Sequence, residues 1–432
     1  MNRAGSADLP LHSGRVPDWL AERMARMSRV LVEALVLHYG RHEVLRRFAH
    51  PFWFQSFGAV MGMDWHSSGV TTTVLGALKR GLTPGGRQLG LYVVGGKGVQ
   101  ARRVPDELLF IGERVGIDAT SLVRASRLTA RVDSAAVRDG FELYSHSLLF
   151  TDDNAWAVVQ QGRNPVAGQA RRYHWLSEGL GSFVEAPHAA IEGPSRGVIV
   201  NLTDRRASRT RAALVELVSQ GPEVVLGALR RRLPAPAPRP VPEPLPHLQM
   251  PAHEEVTHED VLLRRLHGTL AAAAERGPQD FAELLLTPGV GPRTVAALTS
   301  AAEIIHGTPS RFTDPARFSL AQGGKDRQPF PVRLDVYDET LRVLREAVHA
   351  ARLGNDERLR AMRELDRQAR RLEAVATGPS FEALVQEGWV DVGELLPTDA
   401  PPRRFRSARP RAQLELPGLS EQEGGDPFPS PG

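Results

Sequence analysis

Between Leu233 and Pro251 the chain alternates proline with Ala, Arg, Val, Glu and Leu. Each proline fixes its own φ, removes an amide donor and pushes the preceding residue out of the helical region, so neither a helix nor a central strand can run through such a stretch. It reads as a semi-rigid extended linker. The sequence then divides into a mixed helix-and-strand part over 1–232, the linker over 233–252, a helical part over 253–396, and a Pro-, Arg-, Gly- and Ser-rich end over 397–432 that reads as disordered. The expected fold class is an α+β N-terminal domain followed by an all-α domain.

Patterning supports that division. Helical apolar spacing runs through Pro17–Tyr39 (Leu20, Met24, Met27, Leu31, Leu35), and Thr71–Arg80 reads as a helix capped from the Ser/Thr run before it. Leu89–Val94 is a short strand leading into a Gly-Gly-Lys turn, Phe141–Phe150 and Ala155–Gln161 form a hairpin around Asp152-Asp153-Asn154, and Gly197–Leu202 supplies a strand before the helix Arg209–Ser219. Beyond the linker, Val256–Glu275 and Tyr337–Val375 are helical, the second interrupted at Gly354-Asn355.

Composition excludes several chemistries. There is no cysteine, hence no disulfide, no Cys-ligated zinc and no Cys-ligated iron–sulfur cluster. No apolar core of a signal peptide stands at Met1–Pro10 and no apolar run is long enough to span a bilayer, so a cytoplasmic protein without membrane contact is expected. The net charge of +4 is compatible with a polyanionic partner. The only lysines are Lys79, Lys97 and Lys325, the last two in Gly-Gly-Lys settings. In a chain that otherwise uses arginine, a retained lysine suggests a need for a compact or deprotonatable amine.

The sharpest motif lies at 284–295, Leu-Leu-Leu-Thr-Pro-Gly-Val-Gly-Pro-Arg-Thr-Val. Phe281–Leu286 can close one helix, Gly289 and Gly291 let the backbone turn and approach a ligand without a Cβ clash, and a second helix starts near Pro292 with its first amides open to an anion. Arg293 adds a cation and Thr294 lies in the same first turn. The stretch resembles the helix-hairpin-helix pattern of DNA repair and recombination proteins. That resemblance implies a sequence-blind grip on the DNA backbone and makes the C-terminal part a helix-hairpin-helix domain.

The N-terminal part gathers polar residues in blocks: Asp64 to Thr73, Asp133, Asp139, His146, Gln160-Gln161, Arg171 to Trp175 and His188. Carboxylates with imidazoles can hold Mg²⁺, Mn²⁺ or Zn²⁺, for which Asp64, His66, Asp139 and His146 are the candidate ligands. Lys97, Asp64, His66, Asp139 and His174 are the candidate catalytic set. Paired Arg171 and Arg172, with Lys325, suit phosphate. Alternatively these are separate caps, buried hydrogen-bonding histidines and surface charges. The spacing carries no metal signature such as His-Glu-x-x-His. A restriction-type nuclease would place an acid two residues before Lys97, where Gly95 stands.

Two further readings remain open. Asp314 stands about where glycosylases of the helix-hairpin-helix class carry a catalytic aspartate, and Arg293, occupying the Schiff-base lysine position, excludes a lyase step there. In the tail, Gln413, Leu414 and Leu416 of Gln-Leu-Glu-Leu-Pro-Gly-Leu resemble the peptides that dock bacterial repair proteins on the sliding clamp. HSSGVTTT (66–73), ARRYHW (170–175), GGKD (323–326) and VYDETL (336–341) together make most of residues 5–375 resemble a family of uncharacterised prokaryotic proteins, a domain of unknown function; the resemblance implies no activity. The function expected is DNA binding in repair or processing with a metal-dependent nuclease site. The alternatives are a monofunctional glycosylase and a non-catalytic, clamp-recruited adaptor.

Overall fold

Strands of β-branched and aromatic residues with both faces apolar need a helical layer on each side, and the computed structural model has that arrangement. It describes residues 9–10, 18–63, 68–83, 85–232, 258–316, 334–351 and 354–375, all within one compact unit, Met1–Phe381. The strands are Leu9–Pro10 (β1), Leu91–Lys97 (β2), Val137–Arg138 (β3), Glu142–Thr151 (β4), Trp156–Asn164 (β5), Gln169–Leu176 (β6), Ala190–Glu192 (β7), Val198–Asn201 (β8) and Arg311–Thr313 (β9). One antiparallel sheet has the order β1-β6-β5-β4-β2 with β7 also on β6, and a smaller one has the order β3-β8-β9.

The helices of the first part are Asp18–Tyr39 (α1), Arg41–Ala49 (α2), Pro51–Val60 (α3), Gly69–Leu82 (α4), Gly86–Leu89 (α5), Val99–Arg102 (α6), Val104–Val115 (α7), Thr120–Arg131 (α8), Ser208–Ser219 (α9) and Pro222–Arg232 (α10). After the Pro-rich stretch come His258–Arg276 (α11), Phe281–Leu286 (α12), Pro292–His306 (α13), Leu334–Ala350 (α14) and Asn355–Val375 (α15).

Alternation along the strands sends Leu91, Val93, Leu149, Ala157 and Val159 to one face, where they pack with Leu31, Phe48, Trp53, Phe57, Leu78, Leu344 and Leu365 of α1–α4, α14 and α15. The other face carries Tyr92, Val94, Leu148, Phe150, Trp156, Val158, Tyr173 and Trp175 against Leu108, Leu122, Leu214, Val225, Leu270, Leu284 and Leu298 of α7–α13. The protein is thus mixed helix and antiparallel sheet, and both helical layers draw on segments before and after the Pro-rich stretch. Leu344 and Val348 of α14 face the core. Among the described residues no single helix is long and apolar enough to cross a membrane.

Local chemistry explains most boundaries. Asp280 caps α12 by accepting from the Glu283 amide at 2.8 Å, and Glu283 answers by accepting from the Gln279 amide at 2.8 Å. Pro292 opens α13 at a position that has no intrahelical acceptor to lose, and Gly307 ends it in the left-handed region. One expectation fails: Gly95 and Gly96 are not a turn but the last part of β2, paired with Ser147 and His146. Gly95 has φ +96° and a Cβ there would stand 2.2 Å from the His146 carbonyl, so glycine serves close strand packing and the chain turns only at Gly98.

Candidate functional site

The register of the large sheet aligns one polar residue from each of five strands. Lys97 lies opposite Ser145, Ser145 opposite Gln161, Gln161 opposite Arg172, and Arg172 opposite Glu192. Directly opposed residues share a face, so these five form a row across the face that is otherwise packed with apolar side chains of α1–α4. Thr71, in the first turn of α4 and within the HSSGVTTT block, closes the row from above. Its hydroxyl donates to Gln161 Oε1 and accepts from Arg172 Nε at 2.8 Å. Arg172 Nη1 donates to Glu192 at 2.8 Å, and Gln55 Nε2 donates to the other Glu192 oxygen at 3.2 Å. Gln161 Nε2 donates both to the Ser68 carbonyl at 2.9 Å and to the Tyr144 hydroxyl.

Thr71, Gln161, Arg172 and Glu192 are buried, and burial raises the Glu192 carboxyl despite the Arg172 charge beside it. His174 stands one step along on the same face, its Nδ1 donating to the Phe48 carbonyl at 3.1 Å. Burial first, and then the Arg172 charge, hold it well below the usual imidazole range, so it is neutral. Several buried polar atoms here have no partner: Ser145 Oγ, Arg172 Nη2, Gln55 Oε1 and His174 Nε2. Buried polar atoms are seldom left unpaired in folded proteins, and four of those among the described residues lie around this row. Lys97 lies at the exposed end of the row.

The opposite face holds two buried networks, the second of which also leaves Arg171 Nε without a partner. In the first, Asp133, on a π-helical turn at Val132–Ala136, accepts from Gln160 Nε2, Trp175 Nε1 and His188 Nε2. His146 donates from Nδ1 to Gln160 and accepts from Ser126 at Nε2, 2.9 Å away, and burial depresses its pKa. In the second, Arg171 is clamped between Asp139 at 2.8 Å and both oxygens of Asp314 at 2.9 and 2.7 Å, with Tyr173 also donating to Asp139.

This geometry separates residues that the sequence reading grouped. Asp139 and His146 lie on one face and His174 on the other, because successive strand residues alternate. Among the described residues no group of three His, Asp or Glu side chains could hold a metal ion. Arg171 and Arg172 are neighbours in sequence, point to opposite faces, and are fully buried in carboxylate pairs rather than presented to a phosphate. Asp314, with both oxygens on Arg171 and accepting also from the Arg196 and Ala316 amides, is a structural acceptor rather than a free catalytic carboxylate. Asp64, His66, Lys325, Gln413, Leu414 and Leu416 lie outside the described residues. Lys79, the third lysine, ties α4 to β2 by donating to the Gly95 carbonyl at 3.0 Å and to α7 by donating to Glu107 at 2.7 Å.

The second candidate site is the turn between α12 and α13, Thr287 to Gly291. Val290 is buried as its anchor, whereas Gly289 and Arg293 are exposed and Thr294 is buried in the first turn of α13. Gly289 has φ +85°, which only glycine adopts cheaply; Gly291 at φ −142° is in extended backbone open to any residue. Arg131, at the end of α8, donates from Nη1 to the Val290 carbonyl at 2.7 Å and so pins the turn to the first part of the chain.

Sequence reasoning missed Arg131, Tyr144, Ser145 and Glu192, since none carries a local motif and only strand register and tertiary packing bring them to these sites. No curated protein and no solved structure matches the chain. A family model described as "Protein of unknown function (DUF763)" matches residues 5–332, a span that takes in the whole polar row, both networks of the opposite face and the α12–α13 turn. With three quarters of its length under that one model, the chain belongs to the DUF763 family.

Proposed function

We propose that the protein binds DNA through its phosphate backbone, using the α12–α13 turn as a helix-hairpin-helix grip. One observation carries this reading. Gly291 immediately precedes the start of α13, its backbone does not need glycine, and a Cβ there would meet nothing nearer than Arg131 Nη1 at 3.6 Å. Glycine is one of the residues favoured at a helix N-cap, and here it also leaves the backbone open to close approach by a group outside the chain. Exposed Arg293 and the open amides at the start of a 15-residue helix give that approach an anionic character. Contacts to phosphate alone make binding salt-dependent and nearly blind to sequence.

The test follows from the same geometry. Gly291→Ala should fold with an unchanged unfolding midpoint yet bind duplex or single-stranded DNA about tenfold more weakly, roughly 1.4 kcal/mol, and Arg293→Glu should weaken it further. A Gly291→Ala protein that binds DNA as the parent does would reduce the turn to a connection between helices.

A second reading, metal-assisted phosphodiester hydrolysis, keeps Asp64 and His66, which lie outside the described residues, as metal ligands, with Lys97 at the exposed end of the row that Gln161 joins to the Ser68 carbonyl. On that reading Asp64→Asn with His66→Gln abolishes Mg²⁺- or Mn²⁺-dependent cleavage of DNA while leaving affinity intact. Equal cleavage by the parent and the double variant would remove it. The Gln413–Leu416 segment would add recruitment to a sliding clamp.

A further inference from the structure

The outer end of the polar row has a construction of its own. Between Leu143 and Ser145 the β4–β5 register shifts, leaving Tyr144 as the extra residue of a β-bulge. Bulges re-aim side chains, and here the Tyr144 hydroxyl reaches Gln161, which puts it on the face that also carries Ser145. Two cations converge on its ring from the strands on either side: Lys97 Nζ from β2 at 5.9 Å and Arg163 from β5 at 5.7 Å from the centroid. Among the described residues neither cation is in an ion pair. Glu142, which lies across from Arg163, makes no salt bridge with it.

The hydrogen-bond inventory at this point is one-sided. Tyr144 accepts from Gln161, so its own O–H remains to be donated. Burial raises the Tyr144 pKa, keeping that proton in place at neutral pH. Ser145 is 1% exposed, and its buried Oγ has no partner. A primary ammonium and a guanidinium thus lie 5.9 and 5.7 Å from the centroid of the Tyr144 ring, whose hydroxyl still has a proton to donate, and the neighbouring buried Ser145 hydroxyl has no partner among the described residues. That complement suits a tetrahedral oxyanion: the guanidinium spans two oxygens, while the ammonium acts as a compact point charge.

We propose that Lys97, Tyr144, Ser145 and Arg163 form a phosphate-binding site at the bulge of β4, taking the phosphate of a nucleotide or of a nucleic-acid strand. The site stands on its own residues and does not depend on the α12–α13 turn.

The experiment uses the full chain carrying Arg293→Glu, so that the hairpin is disabled. Binding of 5′-phosphorylated and 5′-hydroxyl single-stranded oligonucleotides is followed by fluorescence anisotropy, and binding of inorganic phosphate and a nucleoside monophosphate by calorimetry. Lys97→Met with Tyr144→Phe should weaken binding of the phosphate species by about tenfold or more, in line with the loss of charge-assisted donors. Glu142→Gln, an exposed change that leaves the site intact, should tighten it. Preference for the oligonucleotides identifies a strand as the source of the phosphate, and equal or better binding of the monophosphate identifies a free nucleotide. Failure of every phosphate species to bind the Arg293→Glu chain, or equal binding with and without Lys97 and Tyr144, overturns the proposal. Neither result bears on the hairpin, which is read separately from parent against Gly291→Ala.

Discussion

Arg171→Met is expected to destabilise the protein by about 3–5 kcal/mol, the range for removing one partner from a buried ion pair. Its guanidinium is wholly inaccessible, holds Asp139 and Asp314 together, donates also to the Pro194 carbonyl, and lies 4.8 Å from the centroid of the Phe141 ring. Methionine fills much of the volume but leaves two carboxylates facing one another without a cation. Domains have only about 5–15 kcal/mol of stability in total, so the loss takes a large share. Burial already raises the Asp139 carboxyl. Without Arg171 it rises further, so the deficit of the variant should shrink as pH falls and Asp139 takes up a proton. Urea titrations at pH 7 and pH 5 measure both effects. A change below about 1 kcal/mol at pH 7 would show that the clamp is dispensable.

The second large effect is acid destabilisation through buried histidines. Burial lowers both His146 and His174 below the ordinary imidazole value, His174 strongly. The unfolded chain titrates near pH 6.5, so the stability these groups contribute is fully present above that pH and is lost as pH falls toward their folded values. Each proton taken up on unfolding steepens the dependence by about 1.4 kcal/mol per pH unit, about 2.7 for the pair. Asp139 and Glu192 act with the opposite sign: raised by burial, they favour the folded state most at low pH and lose that contribution as pH rises through their folded values. The discriminating measurement is therefore a difference, with His174→Gln removing about 1.4 kcal/mol per pH unit from the slope between pH 6 and 5. Parallel curves for parent and variant would show that His174 titrates alike folded and unfolded.

Much of the fold is legible in the sequence because it is local. The helical spacing of Leu31 and Leu35, the hairpin around Asp152-Asp153-Asn154 and the Gly-Pro boundary of α13 need only near neighbours to form. The sites are less legible because they depend on register. Arg171 and Arg172 look like a paired phosphate clamp in sequence, yet strand alternation sends them to opposite layers and burial requires each to find a carboxylate. Glu192, the partner of Arg172, lies in a three-residue strand with no motif, and Tyr144 reaches its face only through a bulge that no residue type announces. Gly95 and Gly96 suggest a turn in sequence because glycine most often marks one; here the backbone of β4 comes too close to Gly95 for a Cβ, and the Gln100 side chain crowds Gly96.

The pairing of β9 with β8, and of Asp314 with Arg171, also sets a clock on synthesis. A sheet that formed as its strands left the ribosome would hold Arg171 against Asp139 alone until residues 311–314 were made, and would leave open the apolar face that receives α11–α13. Native closure is postponed until the hairpin and the short strand behind it have emerged. Such long-range contacts slow folding and leave sticky surface exposed for the interval. The nascent chain would thus be most in need of a chaperone while the Pro-rich stretch is still leaving the exit tunnel.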